Sequence, residues 1–289
     1  MSTEAYAAHA LLILSVFALW APFPVIGWRV LFIVSIVLAL WSGVLAWSAL
    51  VPVFFLGTAC LVLAKWRPVR FAAPIKTLSA GVVTIVAFGL GAHLFPGFGA
   101  HPIIDSVVLS EGAPPYSKAL SFDKTIAGLL ILGFLIARLK SRNGWMTMFT
   151  QGAPYAALTI IVVVGTALFL DYIRFDPKWT ALFLPWLLFN FLTCVTEEAF
   201  FRGFIQSQLA MAFTRFPRAD IIALCIATVL FGLAHFGGGG KYVVLATIAG
   251  IGYGWVYYKT KRIEGAILAH LLLNSVHFVF FTYPYLAEQ

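Results

Sequence analysis

Long apolar runs alternate with short polar breaks along the whole chain. Ten such runs are separated by charged residues or by clusters of proline and glycine. Because a helix needs about 20 apolar residues to cross a bilayer, the pattern predicts an all-α fold, a polytopic membrane helix bundle with about 8–10 transmembrane helices. The runs are residues 8–27, 30–48, 51–64, 77–96, 120–137, 153–170, 180–200, 220–236, 242–258 and 264–282.

Three stretches depart from this regular pattern. The run 51–64 is short for a bilayer and the run 120–137 has polar flanks, so both are expected to be tilted or partly re-entrant. Residues 97–122 form the longest stretch outside the runs and contain Pro102, Pro114 and Pro115. We expect an extended outer loop there.

Lysine and arginine collect in alternate loops, as they do on the cytoplasmic side of membrane proteins. The pattern predicts ten spans with both termini on the outer side. The expected inner residues are Arg29, Lys65, Arg67, Arg70, Lys76, Arg138, Lys140, Arg142, Arg215, Arg218, Lys259, Lys261 and Arg262. The expected outer loops hold only Lys118, Lys124, Arg174, Lys178 and Lys241, diluted by aspartate and glutamate.

The composition supports a membrane location. Charged residues make up 10% of the 289 positions and hydrophobic residues 62%, whereas a soluble domain carries about 25% charged residues. Soluble and disordered classes are therefore excluded. The net charge of +8 is explained by the loop bias and faces the lipid bilayer. No basic run has the interleaved aromatics of a nucleic-acid surface, so no nucleic acid partner is expected.

Three charged residues fall inside an apolar run, where each one is costly and marks a functional hypothesis. They are Glu197, Glu198 and Arg202, in the seventh run and its continuation. On a helix, Glu198 and Arg202 are four residues apart and can form an ion pair. Glu197 points about 100° away and is expected to keep no local partner, which would suit it to accept a proton. The alternative is a buried ionic cluster that only ties helices together.

Two further histidines and an asparagine lie in the last three runs. His235 closes the eighth run, and His270 and Asn274 are four residues apart on one face of the tenth. A single histidine in a membrane span is often a hydrogen-bonded core residue, but this set together with Glu197 predicts a converging polar pocket. His277, one turn beyond Asn274, is expected to have a packing role.

Small residues repeat every four positions in the ninth run. Ala246, Gly250 and Gly254 form the pattern that lets membrane helices pack backbone to backbone, and Gly252 adds a second close-approach point. We interpret this stripe as scaffold. It lacks the strand and helix context of a nucleotide-binding loop.

In chain order, the polar residues form three spaced motifs: Glu197-Glu198-x-x-x-Arg202, Phe231-x-x-x-His235 and His270-x-x-x-Asn274. They resemble the signature motifs of the type II CAAX prenyl protease family, membrane-embedded glutamate proteases that are also grouped with bacteriocin-processing and self-immunity proteins. The resemblance covers roughly residues 153–283. It implies a division into residues 1–150, a transmembrane region without a counterpart, and residues 151–289, a catalytic transmembrane core.

The resemblance implies peptide hydrolysis by a water molecule, without a covalent intermediate, a metal or another cofactor. Glu197 would be the general base that activates the water, assisted by His235. His270 and Asn274 would bind the developing oxyanion, which is worth a few kcal/mol in a dry site.

Glu198 and Arg202 would position Glu197. The substrate would be a peptide or protein anchored in the membrane, cleaved within a C-terminal segment such as a CAAX-like tail or a sorting tag. The expected location is the plasma (inner) membrane of a prokaryote. The sequence carries no signal for an oligomeric state.

The predicted helix ends place two of these residues too far apart to share one site. Straight helices that start at Trp179 and Asp220 would place Glu197 and His235 near opposite membrane faces. We therefore expect the seventh helix to begin deeper, to tilt, or to continue past residue 200.

Three other functions fit the same residues. Two histidines and a glutamate could hold zinc in a metalloprotease, although the HExxH spacing is absent. Glu197, His235 and His270 could instead relay protons in a proton-coupled transporter. The chain could also be a non-catalytic immunity or scaffold protein.

Overall fold

The protein is mostly helical over residues 2–21, 26–65 and 73–287, the ranges that the computed structural model describes. Each predicted apolar run contains a helix, so the helical fold class is confirmed. The helices are α1 (Thr3–Phe17), α2 (Ile26–Trp41), α3 (Leu50–Ala64), α4 (Ala73–Gly91), α5 (Phe122–Leu135), α6 (Arg142–Phe169), α7 (Phe183–Glu198), α8 (Ser207–Ala212), α9 (Ala219–Leu233), α10 (Gly239–Thr260) and α11 (Ile263–Phe280).

The chain is a multi-pass integral membrane protein, but it has fewer candidate spans than the eight to ten expected. Within the described ranges, four helical stretches are long and apolar enough to cross a membrane, or five if the bent pair α9 and α10 is one span. The four are Trp47–Ala64, Pro74–Gly91, Arg142–Phe169 and Ile263–Phe280.

Helix length is the physical reason for this correction. Helices α1, α2 and α5 have 15, 16 and 14 residues. At 1.5 Å per residue they reach only about 21–24 Å, less than the ~30 Å hydrocarbon core. The apolar runs are longer than the helices because they also include the turns at the helix ends.

Part of the predicted charge pattern lies outside the described residues. Arg67 and Arg70, and the end of the first predicted run at residues 22–25, are among these positions. The placement of both termini on the outer side stays a prediction.

The expected outer loop contains a two-stranded sheet, so the fold is not purely α-helical. Strands β1 (His101–Val107) and β2 (Tyr116–Leu120) pair with each other. The backbone N–H of Ser106 also donates to the hydroxyl of Ser117 at 2.9 Å.

The chain divides into two compact units that are discontinuous in sequence. The first comprises Met1–His101, Leu120–Lys140 and Val195–Phe200. Its core is α5, which packs against α1, α3 and α4 and buries Ile126, Leu129 and Leu132 completely. A short helix that is apolar on all sides is stable only when it is surrounded in this way.

The second unit comprises Pro102–Ala119, Ser141–Cys194 and Phe201–Gln289. Helix α10 packs against α6, α9 and α11. A buried cluster of Ile104, Trp186 and Phe278 joins β1 to α7 and α11. The division at residue 150 stays a prediction.

Candidate active site

Helix α7 carries the two glutamates near its C-terminal end and does not stop there. It begins at Phe183, four residues later than Trp179, and continues after Glu198 as a π-helical segment, Ala199–Gln206, followed by α8. The expectation that this helix begins deeper and runs past residue 200 is confirmed. Short π-helical segments are rare and frequently occur at functional sites.

Glu197 is paired with a residue that the sequence analysis assigned to an outer loop. In the first unit, the Nζ of Lys124 in α5 lies 2.8 Å from Glu197 Oε1. Both side chains are largely buried, with 21% and 14% of their surfaces exposed. Glu197, which we expected to have no local partner, thus has a distant one from 73 positions earlier in the chain.

A second bond joins the same two segments. The hydroxyl of Thr196 donates to the backbone carbonyl of Lys124 at 2.9 Å. Gly128, one turn further along α5, packs directly against Thr196, and a Cβ there would lie 2.7 Å from the Thr196 Cα. The backbones of α5 and of residues 195–200 thus approach as closely as glycine permits.

Arg202 is fully buried in the second unit, and its surroundings explain how a cation is tolerated there. Its Nη2 donates to the carbonyl of Gly250 at 3.0 Å, and its guanidinium carbon lies 4.2 Å from the ring centroid of Phe231. A planar guanidinium suits such a stacked position. Glu198 is also fully buried, and its ion pair with Arg202 stays a prediction.

The small residues of α10 have the scaffold role that was predicted for them. A Cβ at Gly250 would lie 3.1 Å from Phe231 and 3.3 Å from Arg202, and one at Gly252 would lie 2.1 Å from the Thr159 hydroxyl. The carbonyl of Gly254 accepts a hydrogen bond from Gln206 at 3.3 Å. A side chain added at Gly250 would therefore displace Arg202, and one added at Gly252 would displace α6.

His235 follows the C-terminal end of α9 and is held in one orientation. Its Nδ1 lies 2.7 Å from the carbonyl oxygen of Phe231. Because a carbonyl oxygen only accepts, Nδ1 carries a hydrogen, and in the neutral ring Nε2 is then the acceptor. The side chain of Tyr242 packs edge-on against the imidazole at 5.2 Å between centroids.

His270 packs beside the rings of Tyr253 and Phe231. Its ring stacks on Tyr253 at 4.4 Å, nearly parallel, and stands edge-on to Phe231 at 6.0 Å. Phe231 is also 4.6 Å from the ring of His235. The second unit therefore brings together His235, His270 and Arg202 around Phe231.

Asn274 is oriented by a residue that the sequence analysis missed. Its Nδ2 donates to Asn190 Oδ1 at 3.2 Å and lies 4.0 Å from Cys194 Sγ. Asn190 and Cys194 are both in α7, and Asn190 precedes Glu197 by seven residues. Seven residues are almost two helical turns, so an asparagine at this spacing was the available signal.

His277 has the packing role expected of it. Its Nε2 lies 3.0 Å from the carbonyl oxygen of Thr282, and its ring packs against Tyr283. Among the described residues, no group of three or more histidine, cysteine, aspartate or glutamate side chains is arranged to hold a metal ion.

Comparison with known proteins identifies the segment that carries these residues. Residues 178–276 match the family described as type II CAAX prenyl endopeptidase Rce1-like, and all six predicted site residues lie within them. The chain matches no curated protein and no solved structure. Residues 178–276 are therefore similar to the type II CAAX prenyl endopeptidase Rce1-like family.

Proposed function

We propose that the protein is an intramembrane endopeptidase that cleaves membrane-anchored peptides or C-terminal protein segments with a water molecule activated by Glu197. The observation that carries the proposal is the match to an endopeptidase family over residues 178–276, which span every predicted site residue. The substrate takes the form of a CAAX-like tail or a C-terminal sorting tag. The location is the plasma membrane of a prokaryote, and the reaction needs no metal or other cofactor.

In the proposed reaction, the carboxylate of Glu197 accepts a proton from water while the water oxygen bonds to the scissile carbonyl carbon. His235 assists through Nε2, the acceptor nitrogen of its neutral ring. The proton then passes to the peptide nitrogen, the C–N bond breaks, and the products are a carboxylate and an amine. General acid–base catalysis of this kind contributes about 10²–10⁴ in rate.

His270 and Asn274 stabilise the negative charge that develops on the carbonyl oxygen. The stacking of His270 on Tyr253 and the bond between Asn274 and Asn190 support this role, because donors that are already oriented need no reorganisation during the reaction. Glu198 and Arg202 hold the helix that carries Glu197.

The test compares membranes that contain the wild-type protein with membranes that contain Glu197→Gln, and maps new protein C-termini by mass spectrometry. Wild-type membranes should contain C-termini that the variant lacks. With a peptide copied from a mapped sequence, Glu197→Gln, His235→Ala and His270→Ala should each lose about 10²–10³ or more in kcat. Wild-type cleavage by purified Glu197→Gln would overturn the proposal.

Controls separate this proposal from its rivals. His277→Gln changes a histidine of α11 that bonds the Thr282 carbonyl and packs against Tyr283, and it should keep full activity. Cleavage should survive strong chelation, whereas a zinc protease would lose it. The Glu197→Gln/His235→Ala double variant should be no slower than the slower single variant, because residues that act in one step are not additive. Substrate-dependent proton flux in liposomes without cleavage would support the transporter instead.

A further inference from the structure

Lys124 lies outside the family segment 178–276 but contacts the proposed general base. Its ammonium is 2.8 Å from Glu197 Oε1, a distance typical of a charge-assisted hydrogen bond. The cation belongs to α5, in the N-terminal half of the chain, outside the residues that match the family. The region 1–150 therefore contributes directly to the surroundings of Glu197.

The first turn of α5 holds the backbone of Lys124 in place. The Asp123 carboxylate accepts the backbone N–H of Lys124 at 2.8 Å, and its other oxygen lies 2.7 Å from Nδ1 of His93. The carbonyl of Lys124 accepts the hydroxyl of Thr196 at 2.9 Å. These contacts fix the backbone from which the Lys124 side chain extends to Glu197.

Gly128 fixes the register of α5 against the segment 195–200. A Cβ at this position would lie 2.5 Å from the hydroxyl oxygen of Thr196 and 2.7 Å from its Cα. Since the contact is with backbone, neither side can yield easily. The register that places Lys124 against Glu197 is thus built into both helices.

A largely buried ion pair has a chemical consequence for Glu197. A carboxylate in an apolar environment binds a proton unless a cation stabilises its charge, and a protonated carboxyl group cannot accept a proton from water. Titratable groups near the pair in the first unit include Asp123, which bonds the backbone of Lys124, His93, which bonds Asp123, and Glu198, the neighbour of Glu197 in sequence.

We propose that Lys124 is a positioning residue for the proteolysis, which keeps the Glu197 carboxylate ionised and oriented toward the attacking water. The inference rests on the proposed function of Glu197. It extends the functional site into the N-terminal half of the chain, beyond the residues that define the family.

The first test measures kcat and KM separately. The substrate is a quenched-fluorescent peptide copied from a mapped cleavage sequence, made both with a free C-terminal carboxylate and as its C-terminal amide. Lys124→Met should lower kcat about 10- to 100-fold, the effect of misplacing a reacting group, with KM unchanged for both peptides. Lys124→Arg, which keeps the charge, should recover most of the activity.

Lys261→Met is the matched control. The Nζ of Lys261 also pairs with a carboxylate, that of Asp220 at 3.1 Å, but both side chains are exposed. This variant should keep the wild-type kcat. Thermal unfolding in detergent checks the folding of each variant, and if Lys124→Met does not fold, Lys124→Gln carries the same expectations.

The second test does not depend on activity. Dicyclohexylcarbodiimide reacts with protonated carboxyl groups in apolar surroundings, and peptide mass spectrometry locates the label. Labelling of Glu197 should rise about tenfold in Lys124→Met, as expected when the proton affinity of a carboxylate changes tenfold. It should stay at the wild-type level in Lys124→Arg and in Lys261→Met.

The outcomes separate the two proposals. If the wild-type protein cleaves nothing, the proposed function fails and the labelling test still judges the effect of Lys124 on Glu197. If Lys124→Met has the wild-type kcat and wild-type labelling, the inference is overturned while the proposed function stands. A rise in KM for the free-carboxylate peptide alone, with kcat unchanged, would also overturn it, because Lys124 would then bind the substrate terminus.

Discussion

Three side chains of the candidate active site contact neighbours that carry no charge. The amide of Asn274 is held by Asn190, the ring of His270 by Tyr253, and Nδ1 of His235 by the carbonyl of Phe231. Inside a membrane a neutral hydrogen bond or a ring contact avoids the cost of burying another ion. Orientation is thereby achieved without adding charge.

The bond between Asn190 and Asn274 makes a prediction at this scale. Asn190→Ala removes the acceptor, so the Asn274 amide loses its fixed direction. We expect kcat for the mapped peptide to fall about fivefold with KM unchanged, since one neutral hydrogen bond contributes about 1 kcal/mol. Ser275→Ala is the control, because that hydroxyl bonds only the Leu271 carbonyl of its own helix. A wild-type kcat for Asn190→Ala would exclude the orienting role.

Pairs of helices are held at close range by glycines and by threonines that face them. Gly128 of α5 faces Thr196, Gly232 of α9 faces Thr247, and Gly252 of α10 faces Thr159. Threonine hydroxyls in these pairs bond carbonyl groups, and the hydroxyl oxygen is the threonine atom nearest to a Cβ added at each glycine. Such small-residue contacts allow helices to associate where lipid removes the hydrophobic driving force.

The contact between α6 and α10 can be tested by adding one methyl group. A Cβ at Gly252 would lie 2.1 Å from the Thr159 hydroxyl, which is held by the Tyr155 carbonyl at 2.7 Å. We expect Gly252→Ala to destabilise the protein by about 1–3 kcal/mol, the usual cost of overpacking. The measurement is reversible unfolding in mixed detergent micelles.

Gly165→Ala is the matched control for this prediction. Gly165 lies in α6 with no atom within 4 Å of an added Cβ. Alanine should be neutral there or stabilise by about 0.5–1 kcal/mol, the helix cost of glycine. If Gly252→Ala were as stable as Gly165→Ala, close packing of α6 and α10 would not contribute to stability.

For the whole molecule, the distribution of lysine and arginine and the lengths of the helices are two separate sources of information about topology. The charge pattern predicts both termini on the outer side, while helix length allows four to five candidate spans in the described residues. Short helices such as α5 are buried in protein rather than matched to the bilayer thickness. Lysine and arginine in the loops still set the orientation in the membrane, because their effect acts near the ends of spans.

Reporter fusions test the predicted orientation in a bacterial inner membrane. Alkaline phosphatase fused at either terminus should be active, and green fluorescent protein at the same points should be dark, because both termini are expected outside. The same reporters inserted between Lys259 and Arg262 should show the opposite pattern. An active fluorescent reporter at one terminus would refute the predicted topology.

Local residue chemistry made much of this protein predictable. Apolar runs located the helices because every residue must partition between lipid and water, and Glu197, Glu198 and Arg202 stood out because charge is rare inside those runs. Lys124 did not stand out, since a lysine at the edge of a run is ordinary. Asn190 was missed because an uncharged amide barely interrupts an apolar pattern.

The remaining features depend on contacts between distant parts of the chain. The π-helical segment after Glu198, the short α5 and the sheet of β1 and β2 have no distinct hydropathy signal. The ion pair of Lys124 with Glu197 joins residues 73 positions apart. Hydropathy and helical spacing describe one residue and its near neighbours, and they predict which residues enter the membrane. The partners that those residues meet there depend on packing, in which a glycine such as Gly128 sets the distance between two backbones.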